Sequence, residues 1–135
     1  MLAKTPVAAV LPCRDLKKTR DFYGKRLGLK LVAGSPGDGY LVFSAGEGTT
    51  FTCFESKSRK SEDTAAMFEV TDLEKEMAAL RKRGVKFENY DLPGVKTVNG
   101  IATDGGHRAA WFKDPGGNVV GLHSGSMPPK RGKAR

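Results

Sequence analysis

The chain contains the same plan twice, as AAVLPCRDLKKTRDFYGKRLGLKLV at residues 8–32 and as AAMFEVTDLEKEMAALRKRGVKFEN at residues 65–89. In each copy a strand-like run leads to Asp-Leu, and a helix-like segment then ends among Lys and Arg residues before a Gly. Asp15 and Asp72 suit helix N-caps, because a carboxylate there accepts the free amides of the first turn. Gly28 and Gly84 suit the left-handed residue that ends a helix. The pattern predicts two strand–helix–strand units.

A β-hairpin is predicted after each unit. The first covers residues 39–56 and turns at residues 45–48. The second is WFKDPGGNVVGLHS at residues 111–124, where Asp-Pro-Gly-Gly suits a type I turn followed by Gly117 in the left-handed conformation. The fold class predicted is therefore α+β, with two tandem βαβββ modules.

The second turn also fixes which residues face each other. It pairs Asp114 with Asn118, and counting back along both arms places Trp111 opposite Gly121. Side chains alternate between the two faces of a strand, so one face carries Trp111, Gly121 and His123. Glycine is a poor strand residue, and its use here needs an explanation.

One domain is predicted over residues 1–124, with a module at about 6–56, a linker at 57–63 and a module at about 64–124. Residues 125–135 read as a basic flexible tail. The stretch at residues 90–106 is long enough to be interpreted as a binding loop or lid.

Composition bounds the class of protein. The chain has 135 residues, 39% hydrophobic and 28% charged, which is typical of a folded globular protein. No run of about 18 apolar residues is present, and the apolar stretch at residues 7–11 is too short for a signal peptide. We therefore expect a cytoplasmic location. Cys13 and Cys53 form no CxxC motif and are predicted to be free thiols.

Positive charge suggests an alternative partner. The formal net charge is +8, and the tail supplies four basic residues and no acid. Such a tail can contact nucleic acid, but it lacks interleaved aromatic residues and the chain has no recognition module that we identify. A solvated tail is the preferred interpretation.

The order of these parts, with DFYGKRLGL at residues 21–29 and FKDPGGN at residues 112–118, resembles the vicinal oxygen chelate superfamily over about residues 6–124. This superfamily includes glyoxalase I, fosfomycin resistance transferases, extradiol dioxygenases and bleomycin-binding proteins. The resemblance implies a cupped mixed sheet with the helices outside, a ligand held in the cup, and a homodimer.

Enzymes of this superfamily bind a divalent metal in the cup through His, Gln or Glu. The resemblance places the corresponding positions at Ala8, Ala66, Cys53 and Gly121. Three of these residues cannot bind a metal, and a single thiol does not make a site. We therefore expect no metal and no other cofactor.

The remaining candidate site is apolar with a few polar groups. The predicted ligand-binding residues are Trp111, His107, His123, Phe51, Cys53, Gly121, Ala8 and Ala66, with Tyr40 and Tyr90 as further wall residues. Three alternatives stay open. Cys53 is either a small core residue or a reactive thiol. Trp111 either lines a cavity or fills the space beside Gly121. The two histidines either supply polar contacts, or carry out proton transfer, or bind a displaced metal with a third ligand such as Asp104 or Glu55.

Two main functions follow from this pattern. The first is a metal-free protein that sequesters a small hydrophobic or aromatic molecule. The second is a divergent lyase, isomerase or dioxygenase with a relocated metal near His107 and His123. A basic nucleic-acid or partner-binding module is a third reading. The basic charge argues against cationic bleomycin as the ligand and favours a neutral or anionic aromatic compound.

Overall fold

The structure is a computed structural model that describes residues 2–4, 7–56 and 63–125. Most of the predicted linker and all but the first residue of the predicted tail lie outside these residues. Contacts between Cα atoms divide the chain into a first unit, Met1–Ala66 with Lys113–Val119, and a second unit, Met67–Phe112 with Val120–Arg135. No helix among the described residues is long and apolar enough to cross a membrane.

The first unit contains a four-stranded mixed sheet. Its strands are β1 (Ala9–Cys13), β2 (Lys30–Ser35), β3 (Tyr40–Ser44) and β4 (Thr50–Glu55), and its helical segments are α1 (Leu16–Asp21), a π turn (Phe22–Arg26) and 3-10 turns at Leu2–Lys4, Pro36–Asp38 and Gly46–Gly48. The strand order is β1-β4-β3-β2, with β1 parallel to β4 and the other pairs antiparallel. The first βαβββ module is thus confirmed.

The predicted start and end of the first helix are confirmed. The Asp15 carboxylate accepts a hydrogen bond from the Lys18 amide at 3.1 Å. After the π turn, Gly28 has the left-handed φ of 78°.

The core of the first unit lies between the helical segment and one face of its sheet. Tyr23 is fully buried, with its ring centroid 4.6 Å from Phe51 and 5.8 Å from Phe43. Cys53 is fully buried and pairs with Leu11 in the sheet. The prediction that Phe51 and Cys53 face the cup is therefore wrong, because both point to the helix side.

Alternation along β4 explains this correction. Thr52 and Phe54 lie on the face opposite to Cys53, and Phe54 is 38% exposed. On the same face, Thr52 pairs with Val10, which is 59% exposed. The prediction that Cys53 corresponds to Gly121 was one residue out of register, and a shift of one residue moves every side chain to the other face.

The second turn forms as predicted. The Asp114 amide donates to the Asn118 carbonyl at 2.9 Å, and Gly117 has a φ of 88°. Local turn chemistry therefore determines the geometry of this hairpin.

The remaining elements form a six-stranded sheet and one helix. They are β5 (Thr64–Glu69), α2 (Leu73–Lys82), β6 (Asp91–Leu92), β7 (Val95–Val98), β8 (Ile101–Asp104), β9 (His107–Lys113) and β10 (Val119–Ser124), in the sheet order β5-β10-β9-β8-β7-β6. Asp72 caps α2 by accepting from the Lys75 amide at 3.1 Å, and Gly84 has a φ of 91°. The helix boundaries predicted for the second module are confirmed.

The loop predicted at residues 90–106 is instead a meander of three short strands. Asn99 and Gly100, with φ of 54° and 83°, form the two-residue turn between β7 and β8. Asn-Gly is a strong hairpin signal because both residues tolerate positive φ. Conversely, the strand predicted at the end of residues 65–89 is reduced to one bridge between Phe87 and Phe112.

Candidate functional site

Two histidines meet at neighbouring strands of the second unit. His107 begins β9, His123 lies near the end of β10, and their ring centroids are 5.3 Å apart. The His107 Nε2 and His123 Nδ1 atoms are buried and have no hydrogen-bond partner among the described residues. Buried polar atoms in proteins nearly always have a partner, so these two nitrogens are polar groups whose hydrogen bonding the described residues leave unsatisfied.

Trp111 occupies the space beside Gly121. A Cβ atom built on Gly121 would lie 3.0 Å from Trp111 Cδ1 and 2.8 Å from Met67 Cε. The glycine therefore allows the indole and the methionine to pack directly on β10. Trp111 nevertheless stays partly exposed, and Met67 is 38% exposed. The predicted closeness of Trp111 and Gly121 is confirmed, and the indole fills the vacated position while still presenting a surface.

A second aromatic ring extends this surface. The Tyr90 ring centroid lies 5.7 Å from that of Trp111, with the rings edge to face at 73°. The Glu88 amide donates to the Trp111 carbonyl at 2.7 Å and so fixes the segment that carries Tyr90. We call the group of Trp111, Tyr90, Met67, His107, His123 and Gly121 the Trp111 cluster.

Met67 is the residue that the sequence did not predict. Because side chains alternate along β5, Met67 shares a face with Trp111 and Ala66 lies on the opposite face. The expectation that Ala66 faces the ligand is therefore wrong. The pairing of β5 with β10 joins distant parts of the chain, and only the two-residue periodicity of β5 offered a clue.

The other predicted residues, Ala8, Phe51 and Cys53, lie in the first unit. Ala8 is exposed just before β1. Cys13 and Cys53 are buried and free, as predicted. A hydrogen bond with Cys13, together with burial, raises the pKa of the Cys53 thiol, so it stays protonated and is a core residue rather than a nucleophile.

The residues present do not fit the metal that enzymes of this fold use. Ala8 and Gly121 offer no ligand atom. With the facing of β4 and β5 corrected, Thr52 or Phe54 replaces Cys53 and Ala65 or Met67 replaces Ala66, and none of these is His, Gln or Glu. Asp104 pairs with His107 across β8 and β9. No group of three His, Cys, Asp or Glu side chains in the described part of the chain is arranged to hold a metal ion.

The order of strands and helices and the match to a family model define the class of protein. The model described as Glyoxalase/Bleomycin resistance protein/Dioxygenase superfamily matches residues 6–122. The chain belongs to this superfamily, and the resemblance derived from the sequence is confirmed.

Solved structures with the same fold have different activities. The chain is similar to TnmS3, an antibiotic-binding protein from Streptomyces sp. CB03234, with 24% identity, a TM-score of 0.67, and coverage of 93% of this chain and 99% of that chain. It is similar to a glyoxalase family protein from Enterococcus faecalis, with 20% identity, a TM-score of 0.67, and coverage of 91% and 99%. It is also similar to the fosfomycin resistance protein FosX from Listeria monocytogenes, with 18% identity, a TM-score of 0.65, and coverage of 92% and 93%. No curated protein matches the sequence.

Proposed function

We propose that this protein binds a small aromatic or hydrophobic molecule at the Trp111 cluster, without a metal and without transforming the molecule. The observation that carries the proposal is a pair of buried nitrogens, His107 Nε2 on β9 and His123 Nδ1 on β10, to which no residue of the described ranges hydrogen-bonds. Strand β9 also carries the partly exposed indole of Trp111. Binding sites for small molecules combine apolar walls with a few placed polar groups, and this cluster has both.

The composition of the cluster indicates the shape of the ligand. Trp111 and Tyr90 offer flat apolar surface, and Met67 adapts to the outline of what it contacts. The histidine nitrogens sit at the other end and satisfy one hydrogen-bonding group. A planar ligand with one polar substituent, such as a carboxylate, phenol or carbonyl, matches this arrangement.

Charge and the relatives support the same class of ligand. The net charge of +8 favours a neutral or anionic compound over a cationic drug. TnmS3 is an antibiotic-binding protein with the same fold. Binding of an antibiotic is therefore a function that this fold serves elsewhere.

Fluorescence of Trp111, the single tryptophan, gives a direct test. Naphthoic, anthranilic and hydroxyquinone compounds are the ligands to screen. We expect at least one of them to quench the fluorescence in a saturable way. Trp111→Ala should then weaken binding by about tenfold or more in calorimetry, because a stacked ring contributes on the order of 1 kcal/mol beyond its buried area. Val98→Ala, which trims an apolar side chain of β7 that is 67% exposed and lies outside the Trp111 cluster, is the control and should leave affinity unchanged. Equal affinities of wild type and Trp111→Ala, with both folded by circular dichroism, would refute the proposal.

The polar end is tested by pairs of ligands. His107→Ala and His123→Ala should lower the affinity for an aromatic carboxylate more than the affinity for its uncharged ester or hydrocarbon analogue. Only the carboxylate loses a hydrogen bond in these variants. A loss that is the same for both analogues would show that the histidines only shape the surface.

The runner-up is an enzyme, and the paired imidazoles are the observation that favours it. Such a lyase, isomerase or dioxygenase would use a relocated divalent metal near His107 and His123. Metal analysis and melting temperatures with Ni²⁺, Mn²⁺, Zn²⁺ and a chelator separate the two functions. Stoichiometric metal, or a melting temperature that collapses with chelator, would favour the enzyme and contradict metal-free binding.

We also propose a homodimer, by resemblance to the superfamily. Sedimentation equilibrium at micromolar concentration should give twice the mass of the chain, and a monomer mass would contradict the proposal.

A further inference from the structure

A cleft lies between the first helical segment and the turn after β9, entirely within the first unit. It has a volume of about 460 Å³, and Lys18, Phe22 and Arg26 line it from the helical side. Lys113 and Pro115 line it from the turn. The cleft shares no residue with the Trp111 cluster, so its role is independent of the function proposed above.

The π turn brings the helical residues into line. The Leu27 amide donates to the Phe22 carbonyl five residues back, at 3.0 Å. In an α-helix each step of four residues overshoots a full turn by about 40°. A π turn takes more residues per revolution, so the step from Phe22 to Arg26 offsets the overshoot from Lys18 to Phe22. π turns occur frequently at functional sites, and this one aligns two cations on the same wall.

The basic groups of the cleft are available to a ligand. Lys18, Arg26 and Lys113 are exposed, and none of them forms an ion pair with another described residue. The acids nearby already have partners. The Asp21 carboxylate lies 3.8 Å from both Arg20 Nε and Lys25 Nζ.

Asp114, the other acid of the cleft, is buried and saturated with hydrogen bonds. Its carboxylate accepts from the Tyr23 hydroxyl, the Gly116 amide, and the amide and side chain of Asn118, each at 2.9 Å. The Tyr23 bond also ties the helical wall to the turn wall. The cleft is therefore held in place before any ligand arrives, which lowers the entropic cost of binding.

We propose that this cleft is a binding site for a small phosphorylated molecule. Lysine and arginine together are the usual partners of phosphate, and the planar guanidinium of Arg26 suits two phosphate oxygens at once. Phe22 and Pro115 provide an apolar floor for the remainder of the molecule. The volume lies within the range of about 300–1,000 Å³ that is usual for ligand sites.

Pyrophosphate and inorganic phosphate are the probes, titrated into the full chain by calorimetry and by amide chemical shifts. Saturable pyrophosphate binding is expected, with shifts at Lys18, Arg26 and Lys113. The double variant Arg26→Gln/Lys113→Gln should raise the dissociation constant about tenfold or more, and Arg26→Lys should retain part of the binding. Aromatic-ligand binding at the Trp111 cluster should not change in these variants.

The matched control is Lys82→Gln/Lys86→Gln, which removes the same charge from exposed positions of the second unit. It should change pyrophosphate binding less than about twofold. An equal loss in the control variant would show a general charge effect and overturn the proposal. The proposal would also be overturned if neither pyrophosphate nor inorganic phosphate showed saturable binding. A short DNA duplex that binds through the same residues while pyrophosphate does not would also overturn it, in favour of a nucleic-acid backbone.

Discussion

Gly121 shows how far a single residue can be understood from the sequence. The Asp-Pro-Gly-Gly turn predicts that Gly121 faces Trp111, and the short approach of Trp111 Cδ1 to the built Cβ confirms it. Met67 escaped prediction because it reaches Gly121 through a pairing of distant strands, which no local signal encodes. The glycine thus accommodates two side chains, an indole and a thioether.

Gly121→Ala should lower the free energy of unfolding by about 1–2 kcal/mol, because the new methyl overlaps Met67 Cε and presses on Trp111 Cδ1. Urea unfolding followed by tryptophan fluorescence measures this loss of unfolding free energy. Met67→Ala in the Gly121→Ala background should recover part of the loss, since the end of the methionine side chain is the nearest obstacle. Gly106→Ala is the control, because nothing lies within 4 Å of its built Cβ. If Gly121→Ala lowers the free energy of unfolding by the same amount as Gly106→Ala, the packing described is contradicted.

Among the helices, strands and turns, features that depend on nearby residues were predicted correctly, and features that depend on distant residues were not. Asp15, Asp72 and the turn at Asp114 are defined by neighbours within four residues, and all three formed as predicted. The face of β4 was predicted wrongly because the register of β4 depends on the turn at Gly46–Gly48. In that turn Glu47 has a φ of 55°, a conformation that a glutamate in the sequence does not predict. For the meander of β6 to β8, the prediction of a loop rested on the length of the segment and did not use the local hairpin signal at Asn99 and Gly100.

The turn at Asp114 is predicted to be the most sensitive local structure of the first unit. Asp114→Asn should cost about 3 kcal/mol or more, because the amide replaces an oxygen that accepts two hydrogen bonds with a group that donates. Chemical unfolding at neutral pH measures the loss. Asp38→Asn is the control, since exposed Asp38 accepts one bond from the Ser35 hydroxyl at 3.0 Å and should cost less than about 1 kcal/mol. Similar losses in the two variants would show that the Asp114 carboxylate is not central to the turn.

For the whole molecule, the order of strands, helices and turns in the sequence was sufficient to predict the superfamily. It predicted only part of the site. Trp111, Gly121 and the two histidines come together because one turn and strand alternation place them. The faces of Ala66, Phe51 and Cys53 were predicted wrongly, because their strands take their facing from long-range pairing.

The buried phenol of Tyr23 predicts how the stability of the chain responds to alkali. Burial and the Asp114 carboxylate raise the pKa of Tyr23 above its ordinary value. The folded state therefore keeps a proton that the unfolded chain releases above about pH 10. This contribution to stability is fully present below that pH and is lost as the pH rises further, by about 1.4 kcal/mol per pH unit.

Urea unfolding of wild type at intervals between pH 8 and 11 should show this extra loss above pH 10. Tyr23→Phe should be less stable than wild type at pH 8, by about 1–2 kcal/mol, because Asp114 loses a hydrogen-bond donor. Above pH 10 its stability should decline less steeply than that of wild type, by about 1.4 kcal/mol per pH unit, because the titrating group is gone. Tyr40→Phe removes a phenol that is 42% exposed, and its profile should stay parallel to that of wild type. Parallel profiles for wild type and Tyr23→Phe would mean that the hydroxyl is not held in its protonated form by the core.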